Sequence, residues 1–322
     1  MKSKFVGVLP VLHMPYLNNM SIDYRTLGNE IDYAFDTGAN GICLALVSDL
    51  FRLTATERMK LPEELCSMAS SRGPVIINVA AESSKQACEY ARAAETGGSS
   101  AIMVIPPISL ALSDSQLRAY FDAILESVEI PVFIQDASSY IGNPMSIEFQ
   151  AQLYRDYGDR ILFKPEASPL GPCLSAIRDA TNGQAGLFEG SGGLLLVDSF
   201  RRGITGTIPG VELLDGIVAL WKALSVGDEE RVYRLYFPIC ALATLQIQGG
   251  LDGFIVCERY IMNKRRLFPN IVHREPLSFQ LDTAMTLEID RLLFCLLYTS
   301  PSPRDQRGSR VAGGGWKKKR GG

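Results

Sequence analysis

Eight short apolar runs recur along the first two thirds of this 322-residue chain, and each is followed by a segment of different periodicity. The runs lie at 6–12, 41–46, 75–80, 101–105, 132–135, 161–164, 186–189 and 204–207, with starts roughly 20 to 35 residues apart. Such near-continuous apolar runs predict strands buried on both faces, as in a parallel sheet covered by crossover helices. Between them, 23–37 carries apolar residues at helical spacing and stops at Gly38. The segment 54–71 opens on Thr54-x-x-Glu57, a capping box. Segments 84–96 (ending at Gly97-Gly98), 113–128 and 146–157 follow the same pattern. A closed barrel accommodates eight such units, whereas an open doubly wound sheet usually has fewer strands. The expected fold class is therefore α/β, a (β/α)8 TIM barrel. Beyond Gly210 the strand signals stop, and 213–224, 228–248, 254–265 and 283–297 read as a C-terminal helical extension. Residues 1–297 form one expected unit.

The last segment, 298–322, has no hydrophobic period and is expected to be disordered. Its wording from Cys295 to Asp305 resembles translated adapter sequence, so a native end near Leu297 is expected and the tail is read as non-native. From Thr299 onward there are seven basic residues and one acidic one, so the body is more acidic than the formal net charge of −3. An acidic body with a short basic tail is not a nucleic-acid footprint. Seven scattered cysteines without a CxxC pair read as reduced thiols. No basic n-region with an apolar h-region opens the chain, and no run of 18 apolar residues occurs. The expected location is cytoplasmic, with no membrane partner.

In a barrel the C-terminal strand ends face the active site. Among the residues there, Lys164 stands out. It is one of ten lysines and follows Ile161-Leu162-Phe163 directly. A lysine of ordinary pKa, about 10.4, is neutral in only about one part in 2,500 at pH 7. Burial disfavours the charged form and can lower that value by about 3. A neutral amine can attack a ketone carbonyl and form an imine. A lysine paired with Glu166 fits the same position equally well. Gly190-Ser-Gly-Gly193 is compatible with a phosphate cradle or, more simply, with a tight turn. Ser191 lacks the spacing of a nucleophile elbow. His13 and His273 are too far apart to suggest a metal pair and read as structural. No dinucleotide or Walker fingerprint is present.

The stretch Ile161-Leu-Phe-Lys164-Pro-Glu-Ala-Ser168, the glycine of Phe188-Glu-Gly190-Ser-Gly192, the run Gly203-Ile-Thr-Gly-Thr207 and the opening Leu53-Thr54-x-x-Glu57-Arg58 together resemble the dihydrodipicolinate synthase/N-acetylneuraminate lyase family of class I aldolases. The resemblance spans about residues 5–297. It implies a cofactor-free, metal-free lyase acting on a small-molecule 2-oxo acid through an imine on Lys164, and a homo-oligomer. It also implies substrate contacts from Val47, Ser48, Gly190 and Thr205. Departures accompany it. Pro165 interrupts the family's Lys-Glu-Ala pattern. The family's Gly-Thr-Thr-Gly-Glu, which holds the substrate carboxylate, is here Leu46-Val47-Ser48-Asp49-Leu50, and its Tyr-Asn on strand five is Gln135-Asp136. Tyr140 stands where synthases carry a carboxylate-binding arginine, and Pro106-Pro107-Ile108 replaces the tyrosine lent across their dimer. Losing a proton-transfer group costs about 10²–10⁴-fold unless another takes over, and Asp136, Tyr140 and Glu166 are the candidates. The expected function is a Schiff-base aldolase or dehydratase without the synthase tyrosine relay. The alternative is a barrel that binds a metabolite without turnover.

Overall fold

A computed structural model describes residues 5–299, with side chains through Leu296; the tail segment discussed above lies outside the described residues from Ser300 onward. The elements alternate as β1 (Gly7–Val8), α1 (Tyr24–Thr37), β2 (Ile42–Leu44), α2 (Ala55–Ala69), β3 (Val75–Asn78), α3 (Ser84–Thr96), β4 (Ala101–Val104), α4 (Asp114–Leu125), β5 (Val132–Asp136), α5 (Ile147–Tyr157), β6 (Ile161–Pro165), α6 (Leu170–Ala180), β7 (Gly186–Glu189), α7 (Leu196–Arg201), β8 (Gly206–Thr207) and α8 (Leu214–Val226). Helices α9 (Glu229–Ile247), α10 (Gly250–Lys264) and α11 (Thr283–Thr299) follow. All strand pairs are parallel, in the order β1-β8-β7-β6-β5-β4-β3-β2. Val11 closes the ring through parallel bridges to Cys43 and Gly210. The eight-stranded barrel is thus the observed fold.

Period-two alternation sets which residues face the axis. Leu9, Val11, Cys43, Ala45, Ile76, Met103, Phe133, Leu162 and Phe188 pack together inside the barrel. Their neighbours Val8, Leu44, Ile77, Ile102, Ile134, Phe163 and Leu187 belong to the cluster between strands and helices. Two residues beyond Phe133 and Leu162, the same alternation brings Gln135 and Lys164 to the barrel mouth as register partners. The sequence therefore sets the site lysine in place through its strand phase.

Capping side chains end the helices where the sequence predicts. Asp23, Thr54, Ser83, Ser113 and Ser146 each accept an amide of the first turn. Gly38 ends α1 at φ 106°, a left-handed conformation glycine adopts without steric cost. One reading needs correction, and two helices went unread. The segment near 213–224 is not part of the extension: α8 packs on α1 and β1 and is the eighth barrel helix, so the extension begins at α9. Helices α6 and α7 carry no side-chain N-cap: the capping position is Pro169 in α6 and Leu195 in α7.

The capping box of α2 does double duty. Glu57 accepts from the Thr54 amide at 2.8 Å and pairs with both terminal nitrogens of Arg274, at 2.6 and 2.7 Å, tying the barrel to the segment before α11. The Arg274 bonds outweigh partial burial and hold the carboxyl at about 2. A depressed carboxyl contributes stability above its unfolded value, near 4.5, and that contribution disappears as pH falls toward 2. Glu57→Gln is expected to cost about 1 kcal/mol at pH 7, the worth of a cap and a half-exposed ion pair. The difference in melting temperature from wild type should shrink steadily between pH 4.5 and 2; a difference independent of pH would contradict this assignment.

Candidate active site

The barrel mouth holds a pocket lined by Lys164, Glu166, Gln135, Tyr140 and Gly190, by Ala45, Leu46 and Val47 on the β2 side, and by Ile208, Pro209 and Gly210 after β8. Leu251, Phe254 and Glu258 of α10 cover the remaining side. The extension therefore builds part of the site.

Lys164 is 4% exposed, and its Nζ lies 3.1 Å from Oε1 of Glu166. Gln135 donates from Nε2 to the other Glu166 oxygen at 2.5 Å, and Asn78 of β3 donates to Oε1 of Gln135 at 3.4 Å. A line of hydrogen bonds thus crosses the barrel mouth from β3 to β6 and ends at the amine. Burial pushes the Glu166 carboxyl up, while the Lys164 charge and the Gln135 bond pull it back. A carboxylate in this balance can take a proton from a neighbouring amine and return it.

Gly190 decides whether this pair fits. A Cβ there would stand 2.2 Å from Oε1 of Glu166 and 2.4 Å from Cε of Lys164. The glycine makes room for the lysine–glutamate pair as well as lining the pocket. Glu189, beside it, is anchored by the Ser191 amide at 2.6 Å, by the Ser191 hydroxyl and by the Thr207 hydroxyl at 2.6 Å. Those bonds give Gly190-Ser191-Gly192-Gly193 the shape of a turn around a buried carboxylate, and they favour the turn reading over a phosphate cradle.

Tyr140 sits on the loop between β5 and α5, with its ring edge-on to Phe254 at 5.7 Å. Burial, reinforced by the nearby charges of Glu166, Glu189 and Glu258, pushes its phenol upward, so it is a hydrogen-bond donor at neutral pH. Asp136 does not line the pocket. Its carboxylate accepts the amides of Ser138 at 3.1 Å and Met145 at 2.8 Å. It folds the loop that carries Tyr140 and has no direct line to the amine.

Two further residues singled out in the sequence lie elsewhere. The Ser48 hydroxyl donates to the Leu12 carbonyl and accepts from the Ala45 amide at 3.1 Å, so it shapes the 46–48 turn and does not line the pocket. Thr205 accepts the Leu187 amide at 3.2 Å with its hydroxyl, on the β7 side and away from the pocket wall. Val47 does line the pocket, and the amides of Leu46 and Val47 open a turn whose first N–H groups have no partner within it.

Behind the pocket wall lies a buried polar cluster that local sequence reading missed. His13 bonds Oε1 of Glu30 through Nδ1 at 2.9 Å and Oε2 of Glu258 through Nε2 at 3.0 Å. Burial opposes the imidazolium, but Glu258 and Glu30 outweigh it and the ring is pushed up to about 10. Burial, then the Glu258 charge, pushes the Glu212 carboxyl up to about 7. Next to Glu258, Arg259 pairs with Asp49 at 3.1 Å, donates to the Val272 carbonyl at 2.7 Å and lies against the Tyr16 and Phe268 rings. The residues come from the segment between β1 and α1, from α1, from the β8–α8 loop and from α10, so no short motif records them. One signal was available: Glu258-Arg259 interrupts the apolar run Phe254-Ile-Val-Cys and Tyr260-Ile-Met. His273 is not part of the cluster; burial, then Arg259 and Arg52, push it down to about 4.

All seven cysteines are unpaired thiols. Among the described residues, no helix is long and apolar enough to cross a membrane.

The fold and its mouth thus define a (β/α)8-barrel protein with a buried amine at the C-terminal end of its sixth strand. Residues 4–211 match the dihydrodipicolinate synthetase family, and the chain belongs to that family of lyases. It is 25% identical over 235 residues to the L-2-keto-3-deoxyarabonate dehydratase of Azospirillum brasilense, covering 71% of this chain and 76% of that one. It is 28% identical to the 4-hydroxy-tetrahydrodipicolinate synthase of Methanococcus aeolicus, covering 55% of this chain and 60% of that one. An Escherichia coli K12 protein described as a probable 2-dehydro-3-deoxy-D-pentonate aldolase is 24% identical, over 47% of this chain and 50% of its own length. The dihydrodipicolinate synthase structure from Rhodopseudomonas palustris superposes with a TM-score of 0.82 at 24% identity, covering 91% of this chain and 98% of that one. The synthase from Acinetobacter baumannii, solved with pyruvate, gives the same score at 19% identity, with 91% and 99% covered. At these identities the two structures establish the fold alone.

Proposed function

We propose that this lyase acts on a 2-oxo acid, of the pyruvate or 2-keto-3-deoxy sugar acid class, through an imine on Lys164. The observation that carries the reading is the buried Lys164 amine, open to the pocket and 3.1 Å from a carboxylate that can take its proton. The neutral amine adds to C2 of the substrate, and loss of water gives the imine. The protonated imine then acts as an electron sink. Either the C4 hydroxyl gives up its proton, the C3–C4 bond breaks to leave an enamine and an aldehyde departs, or a proton leaves C3 and hydroxide leaves C4; in both cases Glu166, beside the amine, accepts the proton.

The proton route differs from the synthase relay. Gln135 cannot ionise; it holds Glu166 in place, and Glu166 exchanges the proton with the lysine nitrogen. Tyr140, protonated, donates a hydrogen bond to an oxygen of the bound substrate. Asp136 acts by positioning Tyr140. The amides of Leu46 and Val47 take the substrate carboxylate where the family uses hydroxyls. Ser48 shapes the turn that carries those amides, and Thr205 holds the β7 backbone. The same reading takes the chain as a homo-oligomer needing no nucleic acid or membrane, which light scattering of the purified protein would check.

Incubation with 2-keto-3-deoxy pentonates and hexonates, followed by product analysis, tests the reading. Pyruvate plus an aldehyde identifies an aldolase, and a product one water lighter than the substrate identifies a dehydratase. Tight binding without either product would support the non-catalytic barrel. With an active substrate in hand, Gly190→Ala is expected to lower kcat/KM by at least about 10²-fold, because displacing a reacting group by about 1 Å costs that much. Overpacking should also cost about 1–3 kcal/mol of stability in denaturant unfolding. An active, fully stable alanine variant would contradict the role given to this glycine.

A further inference from the structure

We propose that His13, Glu212 and Glu258 form a binding site for one divalent transition-metal ion, set behind the Lys164 pocket and opening into it. The proposal rests on the donor geometry alone and does not depend on imine chemistry. His13 Nε2 lies 3.0 Å from Oε2 of Glu258 and 3.8 Å from Oε2 of Glu212, and the three donor atoms all fall within 4.8 Å of one another. Metal bonds of about 2.0–2.2 Å to nitrogen and carboxylate oxygen set adjacent donors about 3.0–3.4 Å apart. His13 and Glu258 already stand at that spacing, and an ion would draw Glu212 about half an ångström closer to the ring.

The surroundings have the form that metal ligands require. Glu30 accepts from Nδ1 of His13, which leaves Nε2 as the coordinating atom and fixes the ring; carboxylate support of this kind is a recurrent partner of metal-bound histidine. Gln246 donates to Oε1 of Glu212 at 3.0 Å. The other oxygen of Glu212, on a residue only 1% exposed, has no hydrogen-bond partner and is directed at the His13 ring and the Glu258 carboxylate. A buried carboxylate oxygen left without a donor costs free energy unless a cation answers it. Gly210 keeps the space open: a Cβ there would stand 2.1 Å from that same oxygen and 3.0 Å from Oε1 of Glu258.

Charge points the same way. Three buried carboxylates, Glu30, Glu212 and Glu258, surround one imidazole, while Arg259 is committed to Asp49. A divalent ion in place of the proton on Nε2 would reduce that excess. One nitrogen and two carboxylate oxygens suit Zn²⁺ or Mn²⁺. Glu258 and Gly210 line the pocket, so a further coordination position faces whatever oxygen ligand the pocket holds.

Chelator-stripped full-length protein titrated calorimetrically with ZnCl₂ and with MnCl₂ tests the site. One of the two ions is expected to bind with one ion per chain and to raise the melting temperature. Glu212→Gln should weaken that binding at least 100-fold, Glu30→Gln about 10–100-fold, and Glu57→Gln, whose carboxylate is bonded to Arg274 and makes no contact with the three ligands, not at all. In chelator, Glu212→Gln should melt at or above the wild-type temperature, because one of two opposed buried carboxylates is gone; this separates lost ligation from lost folding. Absence of stoichiometric binding of either ion at millimolar concentration would overturn the proposal. So would binding that Glu212→Gln and Glu30→Gln leave intact.

Discussion

Replacing Lys164 by methionine is expected to lower kcat/KM by at least about 10⁴-fold while leaving a folded barrel. Methionine fills much of the lysine volume but offers no amine, so the covalent route closes completely. Removal of a nucleophile that acts as a unit with its partners typically leaves only the catalysis that binding supplies. The carboxylate left behind is Glu166. It keeps the Gln135 bond at 2.5 Å, and burial already favours its protonated form. The variant should therefore fold, with a near-native circular dichroism spectrum, but melt below wild type, because one partner of a buried pair is gone and protonation of Glu166 offsets only part of that loss. Steady-state kinetics on any substrate found in the product screen checks the claim. Retention of a tenth or more of wild-type turnover would remove Lys164 from the mechanism.

The second large effect concerns the extension. Arg259→Leu should destabilise the protein by about 3–5 kcal/mol, the usual cost of removing one partner from a buried ion pair. Asp49 would be left 1% exposed at a left-handed position, φ 57°, with only the more distant Arg52 guanidinium, at 3.5 Å, to oppose its charge. Burial already pushes the Asp49 carboxyl up, and Arg259 is the largest influence opposing that. The loss should be visible in urea unfolding as a lower midpoint with an unchanged slope. Asp49→Asn in the same background should recover part of it, because the amide removes the uncompensated charge; equal stability of single and double variants would contradict the pairing. The effect reaches the pocket, since Asp49 follows the turn that carries Val47 and Arg259 shares α10 with Glu258.

The fold was legible in the sequence because each strand is a short apolar run and the helices α1 to α5 announce their start with a capping side chain. Strand phase was legible too: Lys164 is two residues beyond Leu162, and the alternation that buries Leu162 inside the barrel carries the amine to its mouth. The helices α6 and α7 were not legible, since they lack capping side chains, and α8 was assigned to the extension because, once the strand signals stop after Gly210, nothing in the sequence separates the last barrel helix from those that follow. Within the site, the Lys164–Glu166 pair was written locally, one residue apart from adjacency. The assignments of Ser48 and Thr205 followed family position, and their hydroxyls instead satisfy backbone groups. Asp136 shows the same limit: a carboxylate at a strand end can serve a loop as easily as a reaction. The cluster of His13, Glu30, Glu212 and Glu258 was invisible because its members are brought together only by barrel closure and by the packing of α10, separations of up to 245 residues.

The central claim is that Lys164 forms the covalent bond to substrate. Wild-type protein incubated with pyruvate or another short 2-oxo acid, reduced with borohydride and digested, should carry the reduced adduct on the peptide that contains Lys164. The Lys164→Met variant should carry none. Absence of any adduct across a panel of 2-oxo acids, or an adduct on a different lysine that persists in the variant, would contradict the account.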